Sequence, residues 1–242
     1  YFSLFLILPG FACASINDIF EWSSLPIPEE TAHTGQSAIY GNGTLLLIGG
    51  IDDTGQPSSN IHFFRLSESG EFQLSETLRW QQPIGRGHLT GTLERFYLST
   101  LSGEPTDRIY RLAFTDGNLT TEPLPPLPRP GRILATELVG PLLCVFGLDE
   151  QSGENFLFTR STETPDADWI IREAFPGPTI ETAIIEANYG MLHIFGGKLL
   201  GKESMTDECF GWRERPIDGT EADGWIRLKS LPAPLSAGTP FI

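Results

Sequence analysis

The chain has 242 residues, 40% of them hydrophobic, with 26 Gly and 19 Pro; 31 acidic against 16 basic residues set its formal net charge at −15. That length holds one large domain or two small ones, and the Gly and Pro content with 11% aromatics suits an all-β chain rich in turns. A nucleic-acid binder needs a basic surface, so this balance argues against DNA, RNA and an anionic membrane surface as partners; an acidic small molecule stays compatible where local Arg or Lys override the overall field.

The chain opens on Tyr1-Phe-Ser-Leu-Phe-Leu-Ile-Leu-Pro-Gly-Phe-Ala-Cys-Ala-Ser15, an apolar run ending in small residues. Ala12-Cys13-Ala14 fits a secretory cleavage site, so residues 1–14 are expected to be a signal peptide and 15–242 the secreted or periplasmic domain. The run is too short to span a bilayer, and no membrane association is expected once it is removed. Two other readings are an apolar first strand and a lipoprotein cleavage before Cys13, for which Gly10-Phe11-Ala12 is a poor match. With no basic segment and no initiator Met, the N-terminus reads as truncated. Secretion would permit a Cys144–Cys209 disulfide, but both cysteines lie in apolar strand-like runs, which favours two buried free thiols.

Four segments share one layout, beginning with a turn, an apolar strand and a second apolar strand that ends near Gly. A strand with aromatics follows, then one with Trp or Leu, then a Pro-rich turn. The second strands are Thr44-Leu-Leu-Leu-Ile-Gly-Gly50, Arg95-Phe-Tyr-Leu-Ser-Thr100, Pro141-Leu-Leu-Cys-Val-Phe-Gly147 and Gly190-Met-Leu-His-Ile-Phe-Gly-Gly197. Gly50, Gly103, Gly147 and Gly197 are spaced by 53, 44 and 50 residues. The turns keep step at Leu25-Pro-Ile-Pro28, Gln82-Pro-Ile84, Leu124-Pro-Pro-Leu-Pro-Arg-Pro130, Phe175-Pro-Gly-Pro178 and Leu231-Pro-Ala-Pro234. Trp22, Trp80, Trp169 and Trp225 precede four of them.

A period near 50 with four strands per unit predicts propeller blades, which need neighbours on both faces. Tryptophan is expected in the wide outer gap between blades. The pattern resembles the Kelch repeat, most closely in the first and fourth units; the second displaces its glycine to Ser102-Gly103 and the third keeps only Gly147. The expected fold is therefore an all-β, Kelch-type β-propeller of four-stranded blades. Phe20-Glu21-Trp22 reads as an outer strand without its blade and Ser236-Ala-Gly-Thr-Pro-Phe-Ile242 as the start of an inner strand. Four full units plus partial ones are thus present, of six blades when complete, with one or two C-terminal blades missing.

Among Kelch proteins, galactose-oxidase-like propellers need Tyr and His copper ligands on inner loops. His33, His62, His88 and His193 form no such pattern, and no metal or cofactor is expected. Trp22-Ser-Ser-Leu-Pro, Asp107-Arg-Ile-Tyr-Arg-Leu112 and Gly224-Trp-Ile-Arg-Leu-Lys-Ser-Leu-Pro-Ala-Pro234 resemble the cyclically permuted Kelch mutarotases, the family of the N-acetylneuraminate mutarotase. The resemblance implies an isomerase that opens and closes a sialic-acid-like sugar at its anomeric centre in an extracytoplasmic compartment. The alternative is a non-catalytic propeller that binds a glycan or a protein partner. The family's active loop pairs a Glu with an Arg. Here the matching loop has Lys198 and Met205 in their places, while the earlier one has Glu104 without an Arg, so the resemblance assigns no catalytic residue.

Mutarotation needs an acid for the ring oxygen and a base for the anomeric hydroxyl, and a sialic acid's carboxylate calls for Arg. The positions just before each first strand hold His33, Arg86 with His88, Arg132 and Glu181. Glu181 is the acidic residue at this phase and the candidate catalytic acid or base; Arg86, His88, Arg132 and His33 are the candidate sugar-binding residues. The other reading makes the arginines ties between blades and Glu181 a solvated or ion-paired carboxylate. Asp52, Asp53, Glu104, Asp149 and Glu150 are expected to be turn formers, and His193 a core or interblade histidine.

Overall fold

A computed structural model describes residues 31, 33, 35–85, 87–100, 108–115, 118–214 and 224–235. The expected signal peptide, the Trp22 strand, Arg86, Gly103 and the C-terminal 236–242 stretch lie outside them.

The described residues form a β-propeller of four blades, each an antiparallel four-stranded sheet in simple chain order. The first blade holds β1 (Ser37–Gly41), β2 (Thr44–Ile48), β3 (Ser58–Leu66) and β4 (Phe72–Ile84). The second holds β5 (Gly87–Thr92), β6 (Arg95–Thr100), β7 (Ile109–Thr115) and β8 (Asn118–Pro123). The third holds β9 (Arg132–Val139), β10 (Leu142–Asp149), β11 (Glu154–Ser161) and β12 (Ile170–Ile171). The fourth holds β13 (Ile180–Asn188), β14 (Met191–Leu199), β15 (Met205–Arg213) and β16 (Gly224–Arg227). The first strand of each blade is innermost: β1 packs on β5, β5 on β9 and β9 on β13. Among the described residues there is no α-helix.

The second strands explain the packing. Leu142-Leu-Cys-Val-Phe-Gly-Leu148 is buried throughout because β10 has strands on both edges and blades on both faces. Successive side chains leave opposite faces of a strand. Leu143 and Val145 therefore join the cluster shared with the second blade, with Tyr97, Ile109 and Phe158. Cys144 and Phe146 join the cluster shared with the fourth, with Ile180, Leu192, Ile194 and Trp212. Leu46 and Ile48 of β2 likewise meet Phe96, Leu98 and Leu112. Cys144 and Cys209 are free and buried, and burial pushes the Cys144 thiol well above its ordinary value.

The three outer tryptophans among the described residues do bridge blades. Trp80 meets Tyr110 of the next blade edge-on at 5.2 Å between ring centres. Trp225 packs on Phe175 at 5.1 Å and Phe146 at 6.2 Å, and its indole N–H donates to the Glu173 carbonyl at 3.2 Å. The Trp169 N–H donates to the Pro125 carbonyl at 2.9 Å. Trp212 was not anticipated from the sequence. It is fully buried in β15 with the Arg172 guanidinium 5.1 Å from its ring centre. Gln82-Pro-Ile84 also differs from expectation: it ends β4 instead of forming a turn. The fourth strand is an outer edge, where Pro costs no ladder bond, and the ladder bulges there, with Ser58 opposite Ile84 but Asn60 opposite Arg79.

The inner strands are anchored at their starts. The Ser37 hydroxyl donates to the Gly87 carbonyl at the head of β5. Buried Asn155 of β11 holds the head of β13: its Nδ2 donates to the Ile180 carbonyl at 2.9 Å and to the Gly147 carbonyl at 3.2 Å, and its Oδ1 accepts from the Ile180 N–H at 2.9 Å. Removing that amide strands several buried backbone groups. Asn155→Ala is expected to cost roughly 2–4 kcal/mol in urea denaturation; a loss below about 1 kcal/mol would show that the tie is dispensable.

Candidate functional site

Each inner strand begins at the edge of the arc where the second strand of its blade ends. Register places Ser37 opposite Ile48, Gly87 opposite Thr100, Arg132 opposite Leu148 and Ile180 opposite Leu199. Arg132 and Glu181 therefore share one edge, the mouth, with the loops after β2, β10 and β14, and His88 reaches inward from the start of β5. All three are the first or second residues of their strands, where the sequence pattern places them just before, and His33 precedes β1.

Between the third and fourth blades, the mouth holds a mixed-charge cluster. Glu181 Oε1 lies 2.9 Å from Lys198 Nζ, and Lys198 is 3.9 Å from Glu203. Arg132 Nε is 3.7 Å from Glu150 Oε1. The Lys198 hydrogen bond holds the Glu181 carboxyl below its ordinary value, with smaller help from the charges of Lys198 and Arg132. Hydrogen bonding to Glu181 raises Lys198 in turn. Glu181 is thus an ionised carboxylate at neutral pH, able to accept a proton but with none to give. The ladder shift between Ile180 and Thr182 frees Glu181 from the regular pairing.

Deeper along the inner strands, a second group forms. His88 Nε2 is 3.4 Å from Glu137 Oε1, and the Thr90 hydroxyl donates to Glu137 Oε2 at 3.2 Å. Burial pushes the Glu137 carboxyl up to about 7, opposed by the Thr90 hydrogen bond and aided by the negative charge of Glu186 on β13. Burial lowers His88, against an opposing contribution from the Thr136 backbone. The His88 and Glu137 side chains keep 28% and 18% of their surface exposed. Sequence reasoning passed over Glu137. The available signal was a lone charge within the apolar run Ile133-Leu-Ala-Thr-Glu-Leu-Val139, where a carboxylate is costly without a role.

His33 is brought to a different place. Its ring lies 6.5 Å from that of His62, whose Nδ1 is 3.0 Å from the Thr77 hydroxyl. Asp52 and Asp149 are turn formers: Asp52 Oδ1 accepts from the N–H groups of Thr54 and Gln56, and Asp149 Oδ1 from those of Gln151 and Ser152. His193 stacks on Phe195 at 5.6 Å. No cluster of His, Cys, Asp and Glu suited to a metal occurs among the described residues.

The fold has a counterpart among solved structures. The chain aligns with the structure of YjhT at a TM-score of 0.66 and 10% identity, covering 88% of this chain and 75% of that one. At that identity the likeness establishes the propeller scaffold. No family model matches the chain, and no curated protein matches it by sequence.

The Glu137 environment has a thermodynamic consequence. Between its ordinary value of 4.5 and the folded value of about 7, the folded chain keeps a proton that the unfolded chain releases. Its contribution to stability is therefore complete below about 4.5 and is lost as pH rises through about 7, an effect of at most about 3 kcal/mol. Urea denaturation at pH 5 and pH 8 is expected to show Glu137→Gln gaining stability relative to wild type at the higher pH. Equal differences at both pH values would contradict the raised value.

Proposed function

We propose that the protein is an extracytoplasmic carbohydrate mutarotase or epimerase acting at the anomeric centre of a sialic-acid-like sugar. The observation that carries this reading is the pair of cations at the mouth, Arg132 and Lys198, each held by a carboxylate. In a chain of net charge −15, these are local exceptions to the acidic field. A sugar acid brings its own carboxylate, which can displace Glu150 from Arg132 and share Lys198 with Glu181. Glu181, the residue the sequence pointed to for proton transfer, serves this reading as an ionised acceptor next to the bound acid. The propeller shared with YjhT supports the scaffold, the sequence resemblance supports the reaction class, and the apolar run ending at Ala12-Cys13-Ala14 supports export. Arg86 belongs to the same entrance by sequence, one residue before β5, and His33 to the rim before β1.

The alternative, a propeller that binds a glycan or protein without catalysis, has its own support on the outer surface. A groove of about 470 Å³ is lined by Trp80, Arg108, Tyr110, Thr121, Pro123, Leu124 and Pro126. Its two perpendicular rings offer an aromatic platform of the kind that sugars and proline-rich peptides use.

Saturation-transfer NMR of N-acetylneuraminate with the full-length protein separates the two. The mutarotase reading expects exchange between α and β anomers faster than in buffer, and at least tenfold weaker apparent sugar affinity in Arg132→Ala and Lys198→Ala, since each loses a charge-assisted contact of about 1.5–3 kcal/mol. No acceleration, with sugar contacts mapped to Trp80 and Tyr110, would leave the binding propeller.

A further inference from the structure

Opening a sugar ring requires two proton movements, and Glu181 supplies only an acceptor. We propose that His88 and Glu137, braced by Thr90, form the acid–base pair that performs them, below the mouth on the facing inner strands β5 and β9. The inference rests on the mutarotase reading and assigns its chemistry to residues distinct from the cations that hold the sugar acid.

The geometry suits a two-proton exchange. Two titratable side chains from neighbouring blades meet through one nitrogen and one oxygen 3.4 Å apart. The second carboxyl oxygen is fixed by the Thr90 hydroxyl, which orients the group. The groups facing Glu137 complete the picture. They are His88 and Thr90 on β5, Glu186 on β13, and Cys144, its register partner on β10, which stays a neutral thiol. The negative charge of Glu186 favours the protonated Glu137 carboxyl. Near neutral pH a substantial share of the pairs therefore holds a carboxylic acid beside a neutral imidazole, a donor and an acceptor within one sugar ring's reach.

The step balances. Glu137 gives its proton to the ring oxygen as the bond between that oxygen and the anomeric carbon breaks. His88 takes the anomeric hydroxyl proton as the carbonyl forms. Rotation of the open chain presents the other carbonyl face, and the reverse movements close the ring as the opposite anomer. Any mismatch left on the pair is cancelled by direct transfer between His88 Nε2 and Glu137 Oε1. No oxidant, metal or second substrate enters. A mere staple between blades would satisfy the same distances, so the test must read more than stability.

The test is the anomer-exchange rate of N-acetylneuraminate from pH 5 to 9, measured for wild type, Glu137→Gln, His88→Gln and Thr90→Val, with circular dichroism confirming that each folds. Wild type is expected to show a limb near neutral pH. Glu137→Gln and His88→Gln are expected to lower the rate about 100-fold or more and to abolish that limb. Thr90→Val removes a bond that favours the carboxylate, so the limb should move to higher pH. Wild-type exchange left unchanged, in rate and pH profile, by folded Glu137→Gln overturns this inference while sparing the mutarotase. Absence of acceleration over buffer in wild type overturns both. If Glu137→Gln fails to fold, His88→Gln and Thr90→Val decide: normal rates and an unmoved limb in both overturn the assignment.

Discussion

Everything at the mouth depends on how closely the end of each second strand approaches the chain running to the next inner strand. In the first blade the Gly50 N–H donates to the Ile84 carbonyl at 2.9 Å, three residues before β5. In the fourth the Gly197 N–H donates to the Leu235 carbonyl at 2.7 Å, and a side chain at Gly196 would bring its Cβ 2.7 Å from that same oxygen. Both glycines of each pair also have positive φ, so a side chain would be strained as well as crowded. The third blade lacks the pair and uses Asn155 instead, whose amide spans the same gap to Ile180. The chemistry differs, but the constraint is one: the inner strand is fixed where it starts, so residues one or two positions on, such as His88 and Glu181, are fixed too.

The interblade clusters then act on the charges. Alternation along β10 sends Leu143 and Val145 one way and Cys144 and Phe146 the other, which closes both faces of the third blade to water. Polar groups near that closure feel low dielectric. Thr136 answers it by donating to the Ser99 hydroxyl at 2.8 Å. Glu137, one residue on, answers it by holding its proton up to about pH 7. Glu181, at the open end of β13, has Lys198 and solvent and stays ionised. Two glutamates on adjacent inner strands are thus shifted in opposite directions because one is deep and the other sits at the rim.

That separation gives the candidate site two levels. The rim carries paired charges, Arg132 beside Glu150 and Lys198 beside Glu181. The level below carries a titratable pair matched to neutral pH. A propeller provides such an arrangement readily, since adjacent inner strands contribute one residue each at every depth and the blades behind them hold the backbone rigid.

The sequence by itself determined the blades. Alternating apolar strands, the terminal glycines of the first and fourth units and the outer tryptophans all act locally or between neighbouring repeats, so their pattern is legible along the chain. The phase of the inner-strand starts was legible for the same reason and led to His88, Arg132 and Glu181. What the tertiary structure alone decided is which of these side chains meet and with what proton. Lys198 neutralises Glu181 from a strand 17 residues away in sequence, and His88 reaches Glu137 across 49 residues and a blade boundary. Burial of Glu137 is the joint effect of three blades, and no local pattern encodes it. Trp212 was missed on similar grounds, since full burial in a third strand follows from blades closing on both sides of it and not from the period that marks the outer tryptophans. Local and nearest-repeat forces are written along the chain, whereas the dielectric and charge around a side chain exist only once the blades have packed.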